Sequence, residues 1–121
     1  MEPTPPGSRD TERLVLVPAT LESADAELHN PLEFAHQLNA RVLPGWPPAP
    51  RDEAAMRLTV ARLRADPAAA EVWYLIVKRH KRVIAGACAV AAGGAVQCAL
   101  LPQFRGQGYE AEAETALTLR P

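Results

Sequence analysis

Apolar and polar positions divide this chain into short apolar runs and amphipathic stretches, punctuated by proline and glycine. Arg13 to Val17 is an apolar run ended by Pro18, which predicts a first strand. Thr20 is placed to cap a short helix through about His29. Asn30-Pro31-Leu32-Glu33 sets a good N-cap, a proline at the first helical position and a glutamate three residues after the cap. Phe34, Leu38 and Val42 then recur on one helical face, and Pro44-Gly45-Trp46-Pro47-Pro48 stops the helix. A further helix is predicted from about Asp52 to Ala65, with Met56, Val60 and Leu63 inside, Arg57 and Arg64 outside, and Asp66-Pro67 at its end. Val72 to Lys78 and Arg82 to Ala91, joined by Arg79-His80-Lys81, predict an antiparallel hairpin. Gly93-Gly94 turns the chain into a last strand, Ala95 to Leu101. Pro102 to Gly108 is a loop, and Tyr109 to Leu119 a closing helix with Leu117 and Leu119 but no strong apolar stripe. Residues 1–10 carry Pro3, Pro5, Pro6 and Gly7 and are expected to form a disordered tail, leaving 11–121 as the domain.

Composition narrows the function classes. The 121 residues suffice for one domain with a modest core, and with 5% aromatics that core must be mainly aliphatic. A net charge of -1 provides no footprint for nucleic acid, so the basic cluster Lys78 to Arg82 reads as a solvated turn. No apolar run approaches the length of a membrane span, and the first residues lack the apolar stretch of a secretory signal, so the expected location is the cytoplasm. Cys88, Cys98 and the scattered His29, His36 and His80 show no metal-ligand spacing. The two cysteines fall on adjacent predicted strands and would face each other if the turn centred on Gly93, which permits a disulfide. In a reducing cytosol the preferred reading is two small buried apolar side chains.

The chemistry concentrates in Gln103-Phe104-Arg105-Gly106-Gln107-Gly108 and the helix that follows. Two nearby glycines let the backbone turn sharply and approach a ligand without a Cβ in the way. The helix starting near Tyr109 directs free amides and its positive dipole end back at the loop, and Arg105 adds a positive charge. Such an arrangement suits an anion, a pyrophosphate above all. It lacks the Lys-Ser or Lys-Thr of a nucleotide-hydrolase phosphate loop and the third glycine of the dinucleotide fingerprint. On spacing alone, a tight strand-to-helix turn without a ligand is an equal alternative.

The stretch Leu100 to Tyr109 resembles the acetyl-CoA signature of the GNAT superfamily of N-acetyltransferases, Gln/Arg-x-x-Gly-x-Gly/Ala, with Gln103 first and Gly106 and Gly108 at the glycine positions. Upstream, Thr11 to Leu16 resembles the first strand of the branch related to ribosomal-protein N-terminal acetyltransferases. Leu43 to Pro48 resembles a helix connection in that branch, and Trp73 to Val77 and Arg82 to Gly86 resemble its next two strands. The resemblance implies an α+β fold: a mixed, mostly antiparallel sheet of about four strands with three to four helices. It implies acetyl-CoA as cosubstrate, held by Leu100, Leu101, Gln103, Arg105, Gly106, Gln107, Gly108 and Tyr109. The loop amides from about Arg105 to Tyr109 would take the pyrophosphate, and the backbone of Leu100 and Leu101 the pantetheine arm. The partner is an amine acceptor, either a protein N-terminus or a small molecule, attacking the thioester with a base taking its proton and backbone donors stabilising the oxyanion.

The chain departs from that pattern in three places. The family continues past this helix with further strands, so the fourth strand is expected to be an open edge, a place for a second copy of the chain to pair. Gln97 stands where relatives often carry a glutamate, and an amide is no base, so no catalytic residue is assigned; Asp52, Glu53 and Glu71 are the acids left to consider. Glu110 follows the aromatic residue where relatives carry alanine, and it faces either the solvent or the loop. These departures leave an alternative: a module that keeps the fold and binds acyl-CoA or a protein without catalysis.

Overall fold

In a computed structural model the residues described are 7–69, 71–91 and 93–118, with His80 and Lys81 described by backbone alone. The part of the expected tail up to Pro6, and Leu119 at the end of the expected last helix, lie outside the described residues. The strands are β1 (Arg9–Asp10), β2 (Leu14–Pro18), β3 (Val72–Val77), β4 (Val83–Val90) and β5 (Val96–Leu100). The helices are α1 (Leu21–His29), α2 (Pro31–Leu38), α3 (Glu53–Ala65), the single turn α4 (Arg79–Arg82) and α5 (Tyr109–Thr118). The strands form one antiparallel meander in the order β1-β2-β3-β4-β5. The expected four strands thus become five, because Arg9 and Asp10, at the end of the segment read as a tail, pair with Leu16 and Val15.

Local chemistry sets the helix boundaries. Thr20 and Ser23 form a capping box: the Thr20 hydroxyl accepts from the Ser23 amide at 3.1 Å, and the Ser23 hydroxyl accepts from the Thr20 amide at 2.9 Å. Asn30 closes α1 and opens α2, accepting from the Glu33 amide at 3.2 Å with Pro31 at the first turn. Asp52 caps α3 through the Ala55 amide at 3.0 Å. The helix expected to carry Val42 ends earlier, at Leu38, because Asn39 turns left-handed with φ 50°. Arg41 then bridges in parallel to Val83.

Both sheet faces are covered, which explains why the strands are apolar runs rather than alternating ones. Val15, Val17, Tyr74, Ile76, Ile84 and Ala87 pack under α1, α2 and α3. Leu14, Leu16, Leu75, Val77, Ala85 and Leu100 pack on the other side with Phe104, Tyr109 and Ala113. A bulge between Leu75 and Ile76 opposes those two residues with Gly86 and Ile84. The extra residue shifts the parity of β4, so that Cys88 shares a core with Ala85.

Cys88 and Cys98 are direct cross-strand partners and are joined in a disulfide. This overturns the preferred sequence reading of two reduced side chains. Leu101 donates to Ala85 and Ala91 to Ala95, so the Cys88–Cys98 pair lies between the hydrogen-bonded positions of the ladder. Such pairs bring the backbones closest, and here the Cα atoms are 4.0 Å apart.

Candidate functional site

The loop between β5 and α5 is a cradle held from below. Pro102–Phe104 forms a 3₁₀ turn, and Gly106 and Gly108 follow with φ of 75° and 84°. Side chains cannot readily adopt that conformation, so the two glycines let the backbone turn twice within three residues. Phe104 and Tyr109 are buried with ring centroids 6.3 Å apart and anchor both ends, while Gln103, Arg105, Gly106, Gln107 and Gly108 are exposed. In α5 the Glu112 amide donates to the Gly108 carbonyl at 3.1 Å. The amides of Tyr109, Glu110 and Ala111 precede that bond as the first-turn donors. Gly108, at the cap position, has no side-chain oxygen to occupy them. The positive end of the helix and its amides therefore point at the exposed glycine turn, as an anion site requires.

The other predicted site residues brace this cradle more than they reach out of it. The Gln107 side-chain amide donates to the Gln103 carbonyl at 2.9 Å. Arg105, expected to add its charge to the loop, folds back and donates from Nε to the Leu100 carbonyl at 3.1 Å. The Leu101 amide is taken by Ala85 at 2.9 Å, inside the sheet. By the alternation of the ladder, the backbone groups of Cys98 and the amide of Leu100 point to the outer edge of β5, which has no strand partner among the described residues. Glu110 is exposed.

Arg13 escaped the sequence reading, although it lies beneath the cradle. Its Nη1 donates to the Gln107 carbonyl at 2.9 Å, and its guanidinium stacks 4.5 Å from the centre of the Tyr109 ring. Glu112, one turn into α5, accepts from Arg13 Nε at 2.7 Å, from the Arg13 amide at 2.8 Å and from the Thr11 hydroxyl. Partial burial raises the Glu112 pKa, but the bonds from Thr11 and Arg13 together outweigh it and hold the carboxyl below its ordinary value. Donating to the Glu112 carboxylate in turn raises the pKa of Arg13. Ninety-nine residues separate the pair, so no local pattern could have revealed it.

On the other face of the sheet a second cluster surrounds the buried carboxylate of Glu27. Glu27 accepts from Arg51 at 2.6 and 3.0 Å, from Trp46 Nε1 at 2.9 Å and from the Tyr74 hydroxyl at 2.8 Å. Burial and the Glu27 charge push the Tyr74 hydroxyl well above the usual tyrosine range, so it remains a donor. Burial lowers the Arg51 pKa, but its bonds to Glu27 outweigh that and the net shift is upward.

Beside this cluster lies a cavity of about 460 Å³ between α3, the start of β3 and the β4–β5 hairpin; Leu58, Arg62, Leu63, Glu71 and Gln97 line it. Of the acids the sequence left open, only Glu71 lines this cavity: Asp52 is the cap of α3, and Glu53 pairs with Arg57 at 2.7 Å.

The chain matches no protein-family model and no curated protein sequence. Its fold is similar to the solved structure of a Vibrio cholerae protein assigned as a ribosomal-protein-serine acetyltransferase, with a TM-score of 0.51 and 20% sequence identity over 94% of this chain. The chain spans 66% of that protein's length. The likeness establishes the fold, a GNAT-like α+β architecture, with a sheet that is antiparallel throughout rather than mixed. No helix among the described residues is long and apolar enough to cross a membrane.

Proposed function

We propose that this chain is an acetyl-CoA-binding domain of a GNAT-type N-acetyltransferase, of the branch related to ribosomal-protein N-terminal acetyltransferases. The observation that carries this reading is the cradle: two left-handed glycines leading into a helix whose first amides are left uncapped by Gly108. Acetyl-CoA supplies the thioester acetyl group. The amides from Gly106 to Ala111 hold its pyrophosphate, and Arg13 fixes the carbonyl of Gln107 so that those amides stay aimed outward. The Leu100 amide and the edge groups of Cys98 pair with the pantetheine arm as an added strand would. Transfer forms a C–N bond to the acceptor amine and breaks the C–S bond, whose electron pair stays on sulfur; the amine gives up a proton and the thiolate gains one. The acceptor is a protein N-terminus or a small-molecule amine.

Gln97 favours a second reading, in which the chain binds acyl-CoA or a protein partner without transfer, because its amide cannot take the proton of the amine. The open edge of β5 would then pair with a second copy of the chain. Calorimetric titration with acetyl-CoA tests the first claim: saturable binding is expected, and none at millimolar cofactor would overturn it. An amine panel then separates the readings, because binding without turnover leaves only the second. Light scattering across concentrations reports on the paired copy.

A further inference from the structure

The cavity beside α3 has a wall chemistry that selects a ligand. Its floor is aliphatic, with Leu63 buried and Leu58 54% exposed at its margin. Arg51, also in the lining, donates from Nε and Nη2 to the buried Glu27, so its charge is matched there. The charges that remain are Arg62 and Glu71, one of each sign, paired at 3.3 Å with both side chains largely exposed. An exposed pair of that kind is worth about 0–1 kcal/mol, so opening it costs little.

We propose that this cavity binds an α-amino acid with a branched aliphatic side chain. Its carboxylate takes the place of Glu71 on Arg62, and its ammonium takes the place of Arg62 on Glu71. The side chain lies on Leu58 and Leu63. A ligand with only one charge would pair with one wall residue and leave the other without its partner, whereas a zwitterion provides partners for both. The cavity volume falls in the range of about 300–1,000 Å³ usual for small-molecule sites. Gln97 lines the cavity while the flanking Cys98 offers its backbone to the edge of β5, so one strand would serve both ligands. That the amino acid accepts the acetyl group rests on the proposed function; that it binds does not.

The test is calorimetry on the full chain without cofactor, using L-leucine, L-leucinamide, 3-methylbutylamine and 4-methylpentanoate. Leucine should bind saturably, and loss of either charge from the ligand should weaken it by about two- to fivefold. Glu71→Gln and Arg62→Gln should each cause a similar loss while leaving acetyl-CoA binding unchanged. Leucinamide binding as well as leucine, no heat from leucine, or insensitivity to both variants would each overturn the proposal. If leucine binds and acetyl-CoA does not, the site stands and the acetyltransferase reading falls; the reverse result removes the site alone.

Discussion

Two arginine–glutamate pairs tie distant parts of this fold together, and they differ in what they leave free. Arg51 and Glu27 are enclosed, with side-chain exposures of 9% and 0%, and Trp46 and Tyr74 complete the carboxylate's set of donors. Arg13 and Glu112 are more open, at 31% and 18%, and their partners include the carbonyl of Gln107 within the loop itself. In the first pair the carboxylate is surrounded by donors and holds α1, the segment before α3 and β3 in place. The second braces a surface whose outward donors remain available. Comparable chemistry therefore serves stability in one place and presentation of a ligand surface in the other, and burial decides which.

The largest expected effect comes from the enclosed pair. Glu27→Gln leaves Arg51 as an uncompensated buried charge and should cost about 3–5 kcal/mol of stability. Chemical denaturation should show this as a lower midpoint with an unchanged slope. A loss below 1 kcal/mol would mean that water reaches the cluster and that the contrast in burial is overstated.

The disulfide comes next. It closes the β4–β5 hairpin across a sequence separation of 10, and a loop of that size predicts about 2–3 kcal/mol of stabilisation. Reduction should lower the melting temperature accordingly, and Cys88→Ala with Cys98→Ala should match the reduced protein. If reductant changes nothing, the cysteines are thiols in solution, as the cytoplasmic reading would have them.

Gly108→Ala attacks the presenting region without touching the enclosed pair. The left-handed backbone should cost about 1–2 kcal/mol, and an added Cβ would sit 3.2 Å from Arg13 Nη2. Acetyl-CoA binding should weaken by more than stability falls, because the turn that aims the amides is what changes. Equal binding by the variant would sink the role given to the cradle.

Much of this fold was legible because its determinants are local. Thr20, Asn30-Pro31 and Asp52 mark helix starts by side-chain oxygens that reach only three residues, and the glycines before Tyr109 mark the turn in the same way. The misses depend on partners far along the chain. Arg9 and Asp10 become strand only because β2 is there to pair with them. Val42 fitted a helical period, but the left-handed Asn39 ended the helix before it. Arg105 could be counted as a loop charge from sequence, yet its bond to Leu100 required the strand end to be in place. Arg13 is the clearest case: one arginine just before β2 has no local signature, and only the packing of α5 against β2 gives it Glu112, Gln107 and Tyr109 at once.

The smallest expected effect is also the one that separates bracing from mere packing. Glu112→Gln keeps the shape of the side chain and removes its charge, so it should cost about 1 kcal/mol at neutral pH, as partly exposed pairs do. The sign of its pH dependence follows from the lowered pKa of Glu112. A carboxyl that is more acidic in the folded protein stabilises it above the unfolded pKa of about 4.3. That contribution fades as the pH falls through the lower folded value. The stability gap between the wild-type chain and Glu112→Gln should therefore be constant above about pH 5, narrow as the pH falls past the unfolded value, and close only beneath the lower folded one. If the carboxylate also holds Arg13 beneath the cradle, the variant should bind acetyl-CoA more weakly at neutral pH, with the deficit narrowing as the wild type is protonated. No gap at any pH would show that Glu112 contributes volume rather than charge, and Arg13 would then need another reason to point at Gln107.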